Sequence, residues 1–367
     1  MKFSRRLPDE MRPNALTELL REKRQRGAGI LDLTESNPTH AGIVYPSDFL
    51  ESLASKSALL YEPEPFGLPA AREIIARDYG SPGDRVVMTA STSEAYSWLF
   101  KLLCDPGDEV LVPRPSYPLF DYLAALESAT VRHYGLFYDH GWFIDFHTIR
   151  SAISERTRAI VLVNPNNPTG HFLRRHELAE LSSFGLPIIS DEVFRDYALA
   201  PAADSVLSLQ HTNETLLFAL NGLSKTVGLP QMKLAWIIAN GPDAVVREAL
   251  ARLEMIADTY LSVGTPVQCG LEALLKMRGT VQRQIVDRLR ENLRILHDSG
   301  LRVLDVEAGW YAIVCLEEEA ELSLLREHDV LVQPSYFYDF ENSNYVVISL
   351  LTPTEVFREG VARIRHG

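Results

Sequence analysis

The sequence predicts an α/β fold in which helices cover both faces of a mostly parallel central sheet, with a smaller α+β domain beside it. Between about residues 85 and 240, short apolar runs rich in β-branched residues alternate with amphipathic stretches. Near-continuous apolar strands are typical of parallel sheets that are buried on both faces by helices. The chain has 367 residues, of which 46% are hydrophobic. That is enough for one large domain and one small one.

Each predicted strand of the large sheet is a short apolar run that ends at turn or polar residues. The runs are residues 85–89, 109–112, 158–163, 187–190, 216–220 and 234–239. Between them, the spacing of apolar residues predicts helices at 93–103, 119–127 and 175–183. We expect these alternating units to build one layered domain.

The remaining elements predict how the smaller domain is attached. Residues 242–253 read as a helix with a proline in the first turn, and residues 281–297 read as a long charged helix. Residues 301–306 and 345–350 read as strands. We therefore expect a large domain at 43–280, and a small domain made of 1–42 and 281–367.

The charge balance argues against nucleic acid and membrane partners. The chain has 36 Lys and Arg against 49 Asp and Glu, which gives a net charge of -13. Binding to phosphate backbones or anionic lipid would require a basic surface instead. We expect no nucleic acid partner and no membrane association.

Cysteine usage and the termini predict a cytoplasmic protein. Cys104, Cys269 and Cys315 are far apart and form no CxxC pair, so neither a zinc site nor a disulfide framework is expected, and no other metal site is predicted. Residues 1–8 are basic, but no apolar stretch follows them, which argues against a secretory signal. No apolar run approaches the length needed to span a bilayer.

Three polar residues follow predicted strands and point to one kind of chemistry. Asn167 lies in NPNNPTG (164–170), Asp191 in SDEVF (190–194) and Lys225 in NGLSKT (221–226). Ligands bind at the carboxyl ends of strands in open α/β sheets, so these side chains are expected to converge. An amide, a carboxylate and an amine are what a pyridoxal phosphate (PLP) enzyme needs. The ordinary alternatives are a turn asparagine, a helix-capping aspartate and a solvated lysine, and Glu192 competes with Asp191.

These segments together resemble the class I/II aminotransferases of the fold-type-I PLP-dependent enzymes, from about residue 33 to the C-terminus. The resemblance implies the fold-type-I architecture, pyridoxal 5'-phosphate as cofactor and a homodimer with shared active sites. Lys225 would form the Schiff base and move a proton between the substrate Cα and the cofactor C4′. Asp191 would pair with the pyridine nitrogen, and Asn167 would bind the ring phenolate.

The same resemblance assigns further residues to the cofactor. Ser91, Thr92 and Ser93 open a helix, where hydroxyls and free N–H groups suit a phosphate, although they also read as an ordinary N-cap. Ser224 and Lys233 would complete this phosphate site, with Lys233 standing where the family usually has an arginine. Tyr117 would stack on the cofactor ring, unless it is a core residue. Tyr61 would reach the phosphate in the neighbouring subunit, unless it is a surface residue.

Two positions depart from the family pattern. Phe194 stands where many relatives have a tyrosine that donates to the phenolate, and Val347 stands where relatives commonly have the arginine that binds the substrate carboxylate. Either another group holds the carboxylate, or the substrate is not a standard α-amino acid. Asn37 and Tyr336 are candidates for lining the substrate pocket.

The function that this pattern predicts is a ping-pong aminotransferase with a small-molecule amino donor and an oxo acceptor. The alternative within PLP chemistry is a lyase or cyclising enzyme that acts on a specialised amino substrate. A PLP-binding transcription regulator is a third possibility from another class. The acidic balance opposes it, and so does the lack of room for a DNA-binding domain ahead of residue 33.

Overall fold

The computed structural model describes residues 3–8 and 12–366, the last without its side chain. Its strands are β1 (Leu31–Asp32), β2 (Val86–Thr89), β3 (Glu109–Arg114), β4 (Thr130–Tyr138), β5 (Trp142–Ile144), β6 (Thr157–Val163), β7 (Ile188–Asp191), β8 (Leu217–Gly222), β9 (Ala235–Asn240), β10 (Arg302–Val303), β11 (Tyr311–Cys315), β12 (Val330–Leu331), β13 (Gln333–Pro334) and β14 (Tyr345–Ser349).

Its α-helices are α1 (Ala15–Gln25), α2 (Pro69–Tyr79), α3 (Thr92–Leu103), α4 (Phe120–Leu126), α5 (Phe146–Ala152), α6 (Arg175–Ser183), α7 (Leu223–Thr226), α8 (Asp243–Tyr260), α9 (Thr265–Lys276), α10 (Arg278–Asp298), α11 (Ala320–His328) and α12 (Thr354–His366). Short 3-10 helices occur at Phe49–Leu53, Lys56–Leu59, Gly83–Arg85, Pro230–Met232 and Ser335–Tyr338.

The central sheet has eight strands in the order β2-β9-β8-β7-β6-β3-β4-β5. Pairing is parallel from β8 through β7, β6 and β3 to β4. Strand β9 is antiparallel to both β2 and β8, so β2 runs in the same direction as β8. The carboxyl ends of β2, β8, β7, β6 and β3 therefore lie at one edge, and the predicted mostly parallel sheet is confirmed.

Alternating side chains on the central strands enter two separate cores. In β6, Ile160 and Leu162 belong to one hydrophobic cluster, whereas Val161 and Val163 belong to the other. Both clusters also contain helix residues, such as Ile75 from α2 in the first and Leu99 from α3 in the second. Because consecutive strand residues point to opposite faces, both faces of the sheet are buried under helices.

A second, smaller sheet lies in the C-terminal part of the chain. Its order is β10-β11-β14-β13, and every pairing in it is antiparallel. Strands β1 and β12 form a separate parallel pair that ties the N-terminal segment to this region. The eight-stranded sheet falls within 43–280 and the four-stranded sheet within 281–367, whereas the domain boundaries themselves stay a prediction.

Several elements were not anticipated from the apolar pattern. Strand β4 has mostly polar or half-exposed residues, because it lies near the edge of the sheet beside β5. Residues 301–306 were predicted as one strand, but only Arg302–Val303 pairs with a neighbour. The helix expected at 242–253 continues to Tyr260. Within the described ranges, no helix combines the length and hydropathy needed to cross a membrane.

Candidate active site

A cavity of about 300 Å³ opens at the carboxyl edge of the central sheet. It is lined by Ser91, Thr92, Ser93, Tyr117, Val163, Asn167, Asp191, Val193, Phe194, Gly222, Ser224, Lys225, Pro230, Ala235 and Tyr311. Strand ends and the loops after them supply most of this lining, as expected for a parallel sheet. The structure thus brings together the amide, the carboxylate and the amine that the sequence singled out.

Lys225 lies on the short helix α7, directly after β8. Its amine is 4.3 Å from the centroid of the Trp310 ring and 5.2 Å from that of Phe194. Burial lowers the pKa of Lys225 to about 8, while the charge of Asp191 acts in the opposite direction. The backbone oxygen of Lys225 accepts a hydrogen bond from the hydroxyl of Tyr197 at 2.5 Å, which fixes the helix in place. A large fraction of this amine is therefore neutral, and nucleophilic, at mildly alkaline pH.

Asp191 is the last residue of β7 and is 6% exposed. One carboxylate oxygen accepts the N–H of Val193 and the other accepts the hydroxyl of Tyr96, each at 3.2 Å. Burial raises the pKa of Asp191 to about 6, and these two hydrogen bonds act against that shift. Because burial makes the negative charge of Asp191 unfavourable, a cationic group of a ligand would stabilise this carboxylate.

Glu192, the competing carboxylate, faces away from the cavity. Its oxygens accept the N–H of Leu209 at 2.8 Å and the hydroxyls of Ser190 and Ser208 at 3.1 and 2.5 Å. Arg195 lies 3.6 Å away from it. Because these partners satisfy Glu192 inside the protein, Asp191 is the carboxylate presented to a ligand.

Asn167 has an amide that the protein does not use. Its Oδ1 is buried, and no hydrogen-bond partner for it occurs among the residues that the structure describes. Neighbouring Asn164 and Asn166 instead brace the loop, to Val206 O at 2.7 Å and to Ser116 Oγ at 3.1 Å. Gly170 closes the turn at φ +70°, where an added Cβ would lie 2.5 Å from Ala308 O. A braced loop with one unused amide fits a hydrogen bond to a bound molecule.

The start of α3 supplies hydroxyls and backbone N–H groups to the same cavity. Ser91 is the N-cap, and its hydroxyl accepts the N–H of Glu94 at 3.2 Å. The carboxylate of Glu94 in turn accepts a hydrogen bond from the N–H of Ala90 at 2.6 Å, so the two side chains cap the helix reciprocally. Thr92 and Ser93 lie in the first turn and also line the cavity. Helix starts of this kind bind anions such as phosphate.

Tyr117 and Ser224 line the cavity, as predicted for cofactor contacts. The ring of Tyr117 packs edge-on against Phe120 at 5.6 Å, and burial raises the pKa of its hydroxyl. The side chain is only partly buried, so one side of it remains open to a ligand.

Four other predicted residues are not among those that line the cavity. Lys233 is exposed just after the 3-10 helix Pro230–Met232, and Tyr61 is 78% exposed beside a separate small pocket of about 40 Å³. Asn37 uses its side chain to cap the turn at Thr39. The hydroxyl of Tyr336 accepts a hydrogen bond from Asn14 at 3.1 Å. Their proposed roles therefore remain predictions.

Val347 is fully buried in β14, opposite Ile313 on one side and Gln333 on the other. It does not line the cavity. Of the described residues that do line it, Lys225 is the only one with a basic side chain. Within the same described ranges, no cluster of His, Cys, Asp or Glu is arranged to hold a metal ion.

Sequence reasoning missed three aromatic residues at this site: Tyr96, Trp310 and Tyr311. Tyr96 lies in the second turn of α3, where its apolar spacing reads as core packing. Tyr311 is the first residue of β11 in the other sheet and Trp310 directly precedes it, more than eighty residues after Lys225 in the sequence. The only available signal was the glycine-aromatic sequence GWY (309–311) before an apolar run.

Comparisons with known proteins agree with this geometry. The model of the family "Aminotransferase class I and II" matches residues 14–364. The chain belongs to this family. Its members are PLP-dependent. The match covers nearly the whole chain, including all of the residues that line the cavity.

Individual relatives are similar at modest identity. The chain is 30% identical over 270 residues to glutamate-pyruvate aminotransferase AlaA of Escherichia coli, a match that covers 68% of this chain and just under two thirds (64%) of the relative. With AlaA of Haemophilus influenzae the identity is 26%, and the match covers 93% and 91% of the two chains. The solved alanine aminotransferase from Pyrococcus furiosus superposes with a TM-score of 0.87 at 24% identity, covering 100% and 99% of the two chains. The fold-type-I architecture is thereby confirmed.

The residues present fit the family's cofactor. Asn167 lines the cavity, and the N–H groups of its side-chain amide suit the ring phenolate, while the buried carboxylate of Asp191 suits a protonated pyridine nitrogen. The start of α3 suits the phosphate, and the amine of Lys225 suits the aldehyde. Each functional group of pyridoxal phosphate thus has a chemically matched partner in one cavity.

Proposed function

We propose that this protein is a PLP-dependent aminotransferase that moves an amino group from an amino donor to a 2-oxo acid or another oxo compound. The observation that supports it most strongly is the convergence of Lys225, Asp191 and Asn167 on one cavity in a member of this family. When bound, pyridoxal phosphate supplies an aldehyde for a Schiff base and a ring that withdraws electrons from the substrate Cα.

Lys225 has two roles in this proposal. Burial lowers the pKa of its amine to about 8, so a neutral amine would be available to hold the cofactor aldehyde covalently. Once released by an amino donor, the same amine would move a proton between the substrate Cα and C4′. With an oxo acceptor the same residue would move the proton in the opposite direction, as a ping-pong aminotransferase requires.

Asp191 and Asn167 would bind the polar groups of the cofactor ring. The carboxylate of Asp191 would keep the ring nitrogen protonated, because a buried carboxylate is stabilised by a neighbouring cation. The side-chain N–H of Asn167 would donate to the phenolate. Tyr117 would stack on the ring, and the phosphate would be bound by Ser91, Thr92, Ser93 and Ser224.

The experiment that tests this function is a half-reaction. Protein loaded with pyridoxal phosphate is mixed with single amino donors, and the absorbance of the cofactor and the small-molecule products are followed. Conversion of the cofactor to its amine form, with release of a stoichiometric oxo product, supports amino transfer. Loss of a leaving group while the cofactor is unchanged would replace this proposal with a lyase.

The proposal includes a homodimer in which each site needs both chains, located in the cytoplasm. Tyr61 and the adjacent Leu59 and Leu60 are exposed to 78%, 85% and 62%, and such a run of apolar side chains favours an interface. All three cysteines are free, as in a reducing compartment. Lys233 is retained as a phosphate contact in this assembly, and Asn37 and Tyr336 as substrate contacts.

Subunit mixing tests the shared site. The variants Lys225→Ala and Tyr61→Phe are each expected to lose activity as homodimers. In a mixed dimer both defects fall in one site, so the other site is intact and activity returns to part of the native level. Unchanged activity of Tyr61→Phe alone, or no recovery on mixing, would contradict the sharing. Its matched control is Tyr122→Phe, another exposed tyrosine.

A further inference from the structure

Tyr96 places a phenolic hydroxyl directly behind the Asp191 carboxylate. The hydroxyl lies 3.2 Å from Oδ2 of Asp191, on the side of the carboxylate not occupied by the N–H of Val193. An ionised carboxylate can only accept hydrogen bonds, so Tyr96 is the donor whenever Asp191 is charged. Burial raises the pKa of Tyr96 well above its ordinary value, which keeps this donor protonated at all relevant pH values.

Packing gives the Tyr96 ring one position. The side chain is 1% exposed and contacts Phe100 at 5.9 Å and Phe120, edge-on, at 5.4 Å between ring centroids. It projects from the second turn of α3, the same helix whose first turn carries Thr92 and Ser93. One rigid helix therefore presents hydroxyls to the phosphate end of the proposed cofactor site and another hydroxyl to Asp191.

The other charged groups around Asp191 have opposite effects on its pKa. Lys225 favours the carboxylate, whereas neighbouring Glu192 disfavours it, and burial is the largest effect against it. The Val193 N–H is a backbone donor that no substitution except proline removes. The hydrogen bond from Tyr96 is consequently the side-chain contact that lowers the pKa of Asp191 and favours its charged form near neutral pH.

We propose that Tyr96 is a positioning residue that sets the pH range over which Asp191 can receive the protonated ring of the cofactor. The inference rests on the proposed function, because it assigns the ring nitrogen to Asp191. Without the Tyr96 hydroxyl, the carboxyl group would take up its proton at higher pH and lose its charge. Tyr96 acts through Asp191 and makes no contact with the reacting atoms.

The test uses an analogue that carries a methyl group in place of the aldehyde, 4-deoxypyridoxine 5′-phosphate, so that Lys225 cannot form a covalent link. Its dissociation constant for the full-length apoprotein is measured by calorimetry from pH 5 to 8. As the pH is lowered below the pKa of Asp191, the affinity for the analogue should fall, because the protonated carboxyl group must first lose its proton to bind the ring cation. The phosphate of the analogue also titrates near pH 6, but identically for every variant, so a difference in midpoint between variant and native protein reports the change in the pKa of Asp191.

In Tyr96→Phe we expect the midpoint to rise by about one pH unit, the shift that corresponds to one hydrogen bond to a charged group. Fluorotyrosine incorporated at position 96 preserves the ring packing and is a stronger donor, so it should lower the midpoint, and it decides the matter if Tyr96→Phe does not fold. The matched control is Tyr134→Phe. This tyrosine is also buried, but its hydroxyl donates to Val161 O at 2.9 Å, so its midpoint should stay at the native value.

An unchanged midpoint in Tyr96→Phe, with affinity lowered equally at every pH, would overturn the inference and leave Tyr96 as a packing residue. The same shift in Tyr134→Phe would overturn it too. If the native protein fails to bind the analogue at all, the proposed function itself fails and this inference with it. The two failures are therefore distinguishable.

Discussion

The amine of Lys225 lies 4.3 Å from the centroid of the Trp310 ring, so the residue proposed for covalent chemistry is close to an aromatic ring that directly precedes β11 of the other sheet. A cation above an indole face is stabilised by about 0.5 to 2 kcal/mol. Burial lowers the pKa of Lys225 to about 8, and a cation–π contact with Trp310 would act against that shift by favouring the charged amine.

Replacing Trp310 with phenylalanine should lower the pKa of Lys225 below about 8. The smaller ring is a weaker partner for the cation, and we expect a decrease of about half a pH unit to one unit. The measurement is the pH dependence of acetylation of Lys225 in the apoprotein, quantified by mass spectrometry. Trp98→Phe, which removes a buried indole stacked on Tyr260 instead, is the control and should leave the titration unchanged.

Phe194→Tyr should shift the spectral titration of the loaded protein to lower pH. Phe194 lines the cavity and packs edge-on against Trp310 at 5.4 Å, and it offers no donor to the ring phenolate. A tyrosine hydroxyl there would stabilise the deprotonated form. The native protein is thus expected to keep the protonated form of the lysine–cofactor linkage to higher pH. Equal midpoints in the two proteins would refute this.

Asp191→Asn should stabilise the apoprotein at pH 8 while weakening cofactor binding. The pKa of Asp191 in the folded protein, about 6, lies above its ordinary value of 3.8. The free energy of unfolding therefore decreases as the pH rises from 3.8 to 6, because the charged carboxylate is less favourable in the folded state than in the unfolded state. A shift of about two units corresponds to about 3 kcal/mol. The free energy of unfolding of the two proteins, from denaturant titrations, should differ at pH 8 and converge toward pH 4. A variant less stable at pH 8 would contradict the assignment.

Because Val347 stands where relatives commonly have an arginine, we expect the protein to discriminate only weakly between amino donors with and without an α-carboxylate. A bidentate arginine–carboxylate pair typically favours the carboxylate-bearing ligand by about 1.5 to 3 kcal/mol, or roughly tenfold to a hundredfold. Val347 is buried between Ile313 and Gln333 and offers no such pair. Half-reaction rates for matched donors with and without an α-carboxylate, such as phenylalanine and 2-phenylethylamine, should therefore differ by less than tenfold. A preference above a hundredfold for the carboxylate would show that another group binds it.

The large domain was predictable because its strands are local and strongly apolar. The predicted strand at 158–163 has apolar residues at every position after Arg158, and β6 occupies Thr157–Val163. The rule that parallel strands end at a common edge then predicted that Asn167, Asp191 and Lys225 meet, as they do. Strand β4 escaped prediction because its position near the sheet edge leaves many of its side chains exposed and polar.

The rest of the site depends on contacts between distant segments. Trp310 and Tyr311 reach Lys225 only because the four-stranded sheet packs against the large domain, and no local pattern encodes that approach. Tyr96 has the helical spacing of a core residue, and its hydroxyl partner on β7 is 95 positions away. Periodicity identifies which face of a helix is buried, but not which polar atom a buried hydroxyl will meet.

Reductive trapping tests whether Lys225 binds the cofactor covalently. Purified protein is incubated with pyridoxal phosphate, reduced with borohydride, digested and mapped by mass spectrometry. We expect a single phosphopyridoxyl adduct on Lys225, and none in Lys225→Ala. An adduct on a different lysine, or none in the native protein, would contradict the assignment of Lys225 as the lysine that binds the cofactor.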